Sequence, residues 1–163
     1  MGNDLLFKTN DFIFSYRVAG LIRNGDKILL QKPLNDKGYS LIGGHVTLNE
    51  TTEDAIKREI SEELHTEISV DRLFAIGEIF FPWDNKPCHQ ISLYYNVSLK
   101  NEKSIPMDGL FKGYDEIGNK KINIDFCWIS LSDLHNIDIY PKEIMPCILA
   151  SDKDIYHFIS NQL

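Results

Sequence analysis

Between Gly43 and Leu64 the chain reads GGHVTLNETTEDAIKREISEEL, ending in a crowd of acids at Glu59, Glu62 and Glu63. Ile56, Ile60 and Leu64 recur every four residues, the spacing of an apolar helical stripe. Thr51 and Asp54 read as a cap for that helix, and Glu53 and Asp54 then sit at the positive end of its dipole. At roughly 100° per residue, Ala55, Glu59, Glu62 and Glu63 centre on a face about a quarter-turn from the stripe. Carboxylates so spaced lie about 5–6 Å apart at their Cβ atoms and repel. They also fall near the helix end where the dipole disfavours anions. Arg58 precedes Glu62 by one turn, but such a pair relieves only about 0.2–0.5 kcal/mol. Charge runs usually face water, yet a solvated helix gains nothing by crowding acids onto one edge. A hard divalent cation such as Mg²⁺ takes oxygen ligands and offsets the repulsion. The Gly43-Gly44 pair ahead lets backbone approach a ligand closely. The pattern favours a cation site.

The same stretch resembles the Nudix box, Gly-x5-Glu-x7-Arg-Glu-U-x-Glu-Glu-x-Gly-U, where U is a bulky aliphatic residue. Gly44, Glu50, Arg58, Glu59, Ile60, Glu62 and Glu63 fall in register. His65 stands where the pattern has Gly, and Thr66 where it has an aliphatic residue. The family Gly suits a left-handed helix end, which costs another residue about 1–2 kcal/mol. The departure therefore bears on helix termination and leaves the ligands intact.

The resemblance implies a Nudix-like α/β/α sandwich, with a mixed β-sheet flanked by helices. It implies Glu59, Glu62 and Glu63 as ligands of Mg²⁺ or Mn²⁺, with the Gly44 carbonyl as a further one. Arg58 would orient a glutamate, and Glu50 would secure the loop–helix geometry. The family hydrolyses nucleoside diphosphates linked to another moiety, so the expected activity is metal-dependent pyrophosphohydrolysis by water attack on phosphorus. Glu59 is the nominated general base, with Glu116 and Asp125 as acids outside the box. Both of these also read as surface charge. Substrates in view are a nucleoside triphosphate or an ADP-ribose-like nucleotide. Two other readings compete: a catalytically silent Nudix-fold module that binds nucleotide or regulates, and a helix holding Ca²⁺ for structure. The complete set of box carboxylates disfavours the first, and the lack of an EF-hand loop the second.

The remaining chain supports one domain over residues 1–163, a usual length for a single unit. A net charge of −7 and a pI near 5.2 disfavour a stable nucleic-acid partner, which would want a basic face. No apolar run approaches the roughly 20 residues of a membrane span, and no secretory signal opens the chain. Cys88, Cys127 and Cys147 lack metal or disulfide spacing and read as buried thiols of a cytoplasmic protein. The oligomeric state is not legible, and the resemblance leaves a homodimer open.

Asn24-Gly25-Asp26 marks a hairpin between two β segments. Two further β runs flank PWDNKP, and KINIDFCWISL reads as another strand. Lys100–Lys121 reads as a long loop with at most a short strand. Ser132-Asp133 opens a turn, and the segment from Pro141 to Ile159 reads as C-terminal helix, interrupted or restarted at Pro146. His45 is either a phosphate contact or a local hydrogen-bonding residue. His89 reads as structural or solvent-facing. Phe81, Trp83, Tyr94, Tyr95 and Trp128 are candidates for stacking on a base, although strand aromatics are usually core. Arg17 and Arg23 are candidates to meet phosphate from the first hairpin, with a surface role as the default.

Overall fold

Gly25, at φ +60°, turns the chain between β2 (Ile13–Asn24) and β3 (Lys27–Pro33) at the expected hairpin. The computed structural model describes residues 3–34, 37–117 and 120–163, with side chains omitted at 115–117 and 120. The other described strands are β1 (Leu6–Lys8), β4 (Ile42–His45), β5 (Ile68–Trp83), β6 (Lys86–Leu99), β7 (Leu110–Ile117), β8 (Lys120–Ser130) and β9 (Tyr156–Asn161). Two helices, α1 (Thr52–Leu64) and α2 (Ile144–Leu149), and a 3-10 segment, Leu131–Asn136, complete the described elements.

The strand order is β7-β8-β3-β2-β6-β5-β9, with β1 and β4 also pairing to β2. The sheet is mixed, because β2–β6 and β5–β9 are parallel while the other pairs are antiparallel. The long β5–β6 hairpin closes through Asp84 and Asn85, both at positive φ, as a two-residue turn of matching twist requires.

Successive strand residues point to opposite faces, and here both faces are covered. Val18, Ile22, Leu29 and Tyr95 pack with Ile56 and Ile60 of α1. Ala19, Leu21, Leu30 and Tyr94 pack with Leu134 of the 3-10 segment and Ile144 and Ile148 of α2. Burying each large aliphatic side chain contributes about 1.5–3 kcal/mol, which drives the layering. This is the expected α/β/α arrangement. No described helix is long and apolar enough to cross a membrane.

Two expectations are corrected. Residues 110–117 form a regular strand, since β8 offers a full antiparallel partner from Leu110↔Cys127 to Ile117↔Lys120. The C-terminal segment is not a continuing helix: α2 spans six residues, and Tyr156–Asn161 then adds β9 in parallel to β5. Pro146 is tolerated as the third residue of α2, where its missing N–H has no intrahelical acceptor.

Candidate active site

Strand β4 is IGGH, and its glycines bring it hard against its neighbours. A Cβ on Gly43 would run into the Val18 carbonyl and the Ala19 backbone. A Cβ on Gly44 would overlap the Glu59 carboxylate. The absence of a side chain at Gly44 thus lets an acid of α1 lie directly against strand backbone.

From β4 the chain turns through Asn49, at φ 64°, into α1. The Thr51 hydroxyl accepts the Asp54 N–H at 3.1 Å, as the sequence predicts. Glu50 accepts from the Thr47 N–H and hydroxyl at 3.1 and 2.9 Å, locking the turn. It also takes Arg58 in a forked pair, Nε at 2.8 Å and Nη2 at 2.9 Å. The Arg58 guanidinium holds the Glu50 carboxyl down from the ordinary 4.5 to about 2.

Arg58 is the hub of the acidic edge. Its Nη1 donates to Glu59 at 2.7 Å and to Glu62 at 3.3 Å, and Nη2 donates to the His45 carbonyl at 3.0 Å. Burial pushes the Glu59 carboxyl above the usual carboxylate range, while Arg58 pulls it down. The Glu59 side chain is 14% exposed and that of Glu62 is 54% exposed. The structure therefore gathers Gly44, Glu50, Arg58, Glu59 and Glu62 into one cluster, while Glu63, one helical turn beyond Glu59, is buried. Among the described residues, no three acid, imidazole or thiol groups stand close enough to hold an ion in their present rotamers.

The cluster nevertheless fits a hard divalent cation. Its donors are oxygens, it is anionic, and the lack of a side chain at Gly44 lets the Glu59 carboxylate lie against β4. Asp125 is not brought to this cluster. It alternates with Ile124 and Phe126, which pack toward α1, so it points to the opposite face. Glu116 pairs through its backbone with Lys121 in β7–β8, and its side chain lies outside the described residues.

Helix α1 ends at His65, which adopts φ 53° and ψ 38°, the left-handed conformation of the family Gly. The departure from the pattern does not prevent the turn, and the His65 ring rests 5.2 Å from that of Tyr114.

On the face of the sheet away from α1 a cavity of about 460 Å³ opens beside Gly43. Arg17, Phe81, Gln90, Tyr94 and Tyr140 are among its walls. Phe81 and Tyr94 thus line this cavity, whereas Tyr95 and Trp128 are buried under α1. Trp83 stacks at 6.4 Å on His45. His45 Nε2 lies 3.1 Å from the Ser15 hydroxyl, and burial above all, with the Arg17 charge, lowers its pKa to about 4. His45 is accordingly a neutral local hydrogen-bonding residue. His89 is exposed and rests against the rings of Phe80 and Phe14.

Arg23 spans to the C-terminal end of α2, where Nη2 donates to the Ile148 carbonyl at 2.6 Å. Arg17 is the residue that the surface expectation misplaced. It is half-buried in the cavity wall, and its Nη2 donates to the Gly43 carbonyl at 3.2 Å. The sequence signal for it is a cation in the apolar part of the strand, in step with Ser15 and Ala19 and well before the exposed Arg23-Asn24 end.

Several solved structures share this fold. An ADP-ribose pyrophosphatase from Streptococcus suis is 17% identical, with a TM-score of 0.58 over 88% of this chain and 98% of that one. A UDP-X diphosphatase is 17% identical, with a TM-score of 0.59 over 93% and 69%. A mutator MutT protein from Bacillus halodurans is 16% identical, with a TM-score of 0.59 over 91% of each chain. At these identities the likeness concerns the fold alone. No curated protein matches the sequence. The family model described as NUDIX domain matches residues 14–146, which takes in the glycine cradle, the acidic helix and most of the sheet that holds them, and the chain belongs to that family.

Proposed function

We propose that this chain is a pyrophosphohydrolase that uses Mg²⁺ or Mn²⁺ to cleave a nucleoside diphosphate linked to another moiety. The observation that carries this reading is the Arg58 hub, which holds Glu59 and Glu62 at one guanidinium nitrogen beside Gly44. The residues that would hold the cation are Glu59, Glu62 and Glu63, with the Gly44 carbonyl. When bound, the cation supplies charge neutralisation of the phosphate oxygens and polarisation of the attacking water.

The chain's own residues supply the rest. Glu59, set beside Gly44 by Arg58, would take a proton from water as the new O–P bond forms and the bridging P–O bond breaks. Arg58 positions that carboxylate, and Glu50 positions Arg58. The neighbouring cavity would take the nucleoside and exclude bulk water from it. The ADP-ribose pyrophosphatase and UDP-X diphosphatase among the similar folds support a diphosphate-linked nucleotide substrate. The three free, buried cysteines support a reducing cytoplasm.

Purified protein with MgCl₂, offered nucleoside triphosphates, ADP-ribose and nucleotide sugars, should release products identifiable by mass spectrometry. Glu62→Gln should lower the turnover of the preferred substrate at least about a hundredfold, as loss of a group acting in the transition state does. No product from any substrate, or full activity in Glu62→Gln, would favour the silent binding module instead.

A further inference from the structure

We propose that Arg17 grips the phosphate adjoining the nucleoside, so that the cavity recognises a nucleoside 5′-phosphate and the acidic helix works on the next phosphate along. The assignment deepens the hydrolase reading and rests on it for the identity of the second phosphate.

Arg17 sits in the middle of β2, opposite His45 on β4 and Ser92 on β6. A guanidinium has five N–H donors and is never discharged in a protein. Among the described residues Arg17 makes no ion pair, and its hydrogen bond goes to the Gly43 carbonyl at 3.2 Å. One donor is thereby spent on anchoring the side chain, and the others remain for a ligand. The walls around it carry neutral groups, including Ser40, Gln90, Ser92 and Tyr94, and no described Asp or Glu lines the cavity. A half-buried cation in a concave site whose lining carries no acid calls for an anion. Phosphate matches the guanidinium fork best.

The position of Arg17 chooses which phosphate. Arg17 shares the cavity wall with Tyr94. It anchors on Gly43, next to the Gly44 cradle that receives the Glu59 carboxylate. Arg17 therefore stands on the cavity side of β4, one residue along from where Gly44 meets the Glu59 carboxylate on the α1 side, and β4 pairs with β2 off the main path of the sheet. A phosphate attached to a nucleoside in the cavity meets Arg17 first, and the linkage beyond it reaches the acids. After cleavage, the nucleoside monophosphate is the product retained by Arg17 and competes with substrate.

The test uses calorimetric titration in EDTA, which removes any divalent ion from the comparison. The probes are the 5′-monophosphates of adenosine, guanosine, uridine and cytidine and the four parent nucleosides. In the wild type, at least one monophosphate should bind about tenfold or more tightly than its nucleoside, the size expected of charge-assisted hydrogen bonds. That preference should weaken as NaCl is raised. Arg17→Gln should bring the ratio to about two or less, and Arg17→Lys should keep a reduced but salt-sensitive preference. Thermal unfolding checks both variants, and Arg17→Lys, which keeps a donor for Gly43, supplies the readout should Arg17→Gln fail to fold. In the presence of MgCl₂ the same substitutions should raise KM about tenfold while changing kcat less than about threefold. A wild type that does not distinguish monophosphate from nucleoside overturns the assignment. So does a wild-type ratio in Arg17→Gln or, if that variant is unfolded, in Arg17→Lys. Hydrolysis lost in Glu62→Gln beside an Arg17-independent ratio sinks only this assignment. An Arg17-dependent ratio without hydrolysis sinks only the catalytic reading.

Discussion

Glu50 is one of the seven box positions, and its carboxylate touches the chain rather than the edge where a ligand would sit. Both of its oxygens are taken by Arg58, and one also serves Thr47. The Arg58 hydrogen bonds lower its pKa from 4.5 to about 2. The sign follows from proton binding: between these values the unfolded chain takes up a proton that the folded chain refuses, so stability falls as pH falls. The contribution is complete above pH 4.5 and disappears as the pH drops through about 2. Urea unfolding of the wild type and Glu50→Gln between those limits should show a gap that is widest at the upper end and shrinks on acidification. A gap independent of pH would mean that Glu50 matters through shape alone. Arg58 also holds Glu59 and Glu62, so Glu50→Gln should loosen the acidic edge as well as the turn.

Helix α1 shows why some elements are legible in a sequence and others are not. Its start and its apolar stripe are local patterns, and each is found where the pattern puts it, whereas the acids divide, Glu62 exposed and Glu63 buried with the stripe. Its end is local too: His65 occupies the left-handed conformation that Gly adopts without strain. His65→Gly should stabilise the protein by up to about 1 kcal/mol, less whatever the His65–Tyr114 ring contact contributes. The shift in urea midpoint at unchanged slope measures it, and a destabilised variant would mean that the ring contact outweighs the backbone strain. Strand β9 was not legible because its reason to exist is remote: Tyr156 pairs with Ala75, and Phe158 lies where a Cβ on Gly77 would overlap it. The helical run IMPCIL just before it pulls the reading toward helix. β7 hid for a similar reason, since only β8 satisfies its backbone. The site divides in the same way. The box residues lie close in sequence and can be read there as a pattern, whereas the place of Arg17 in the cavity wall depends on β4 and β6 beside it.

Across the whole molecule the acidic cluster is peripheral to what keeps the chain folded. Two apolar cores, one on each side of the sheet, bury large side chains such as Phe126, Leu29, Leu21 and Ile28 without involving the acids. The protein should therefore stay folded in EDTA, unlike small domains whose fold depends on their metal. A cation that binds only the folded state should still stabilise it by mass action, by about 2.7 kcal/mol at a hundredfold excess over Kd. For a chain of this size that corresponds to a rise in Tm of roughly 5–10 °C. Scanning calorimetry with increasing MnCl₂ should show Tm climbing with the logarithm of concentration, and EDTA should reverse the rise. Glu62→Gln should lose most of the shift, since removing one carboxylate weakens a cation held by several oxygens. A wild-type Tm indifferent to MnCl₂ would remove the cation from this cluster. An equal rise in Glu62→Gln would place the ion elsewhere on a surface whose net charge of −7 attracts cations nonspecifically.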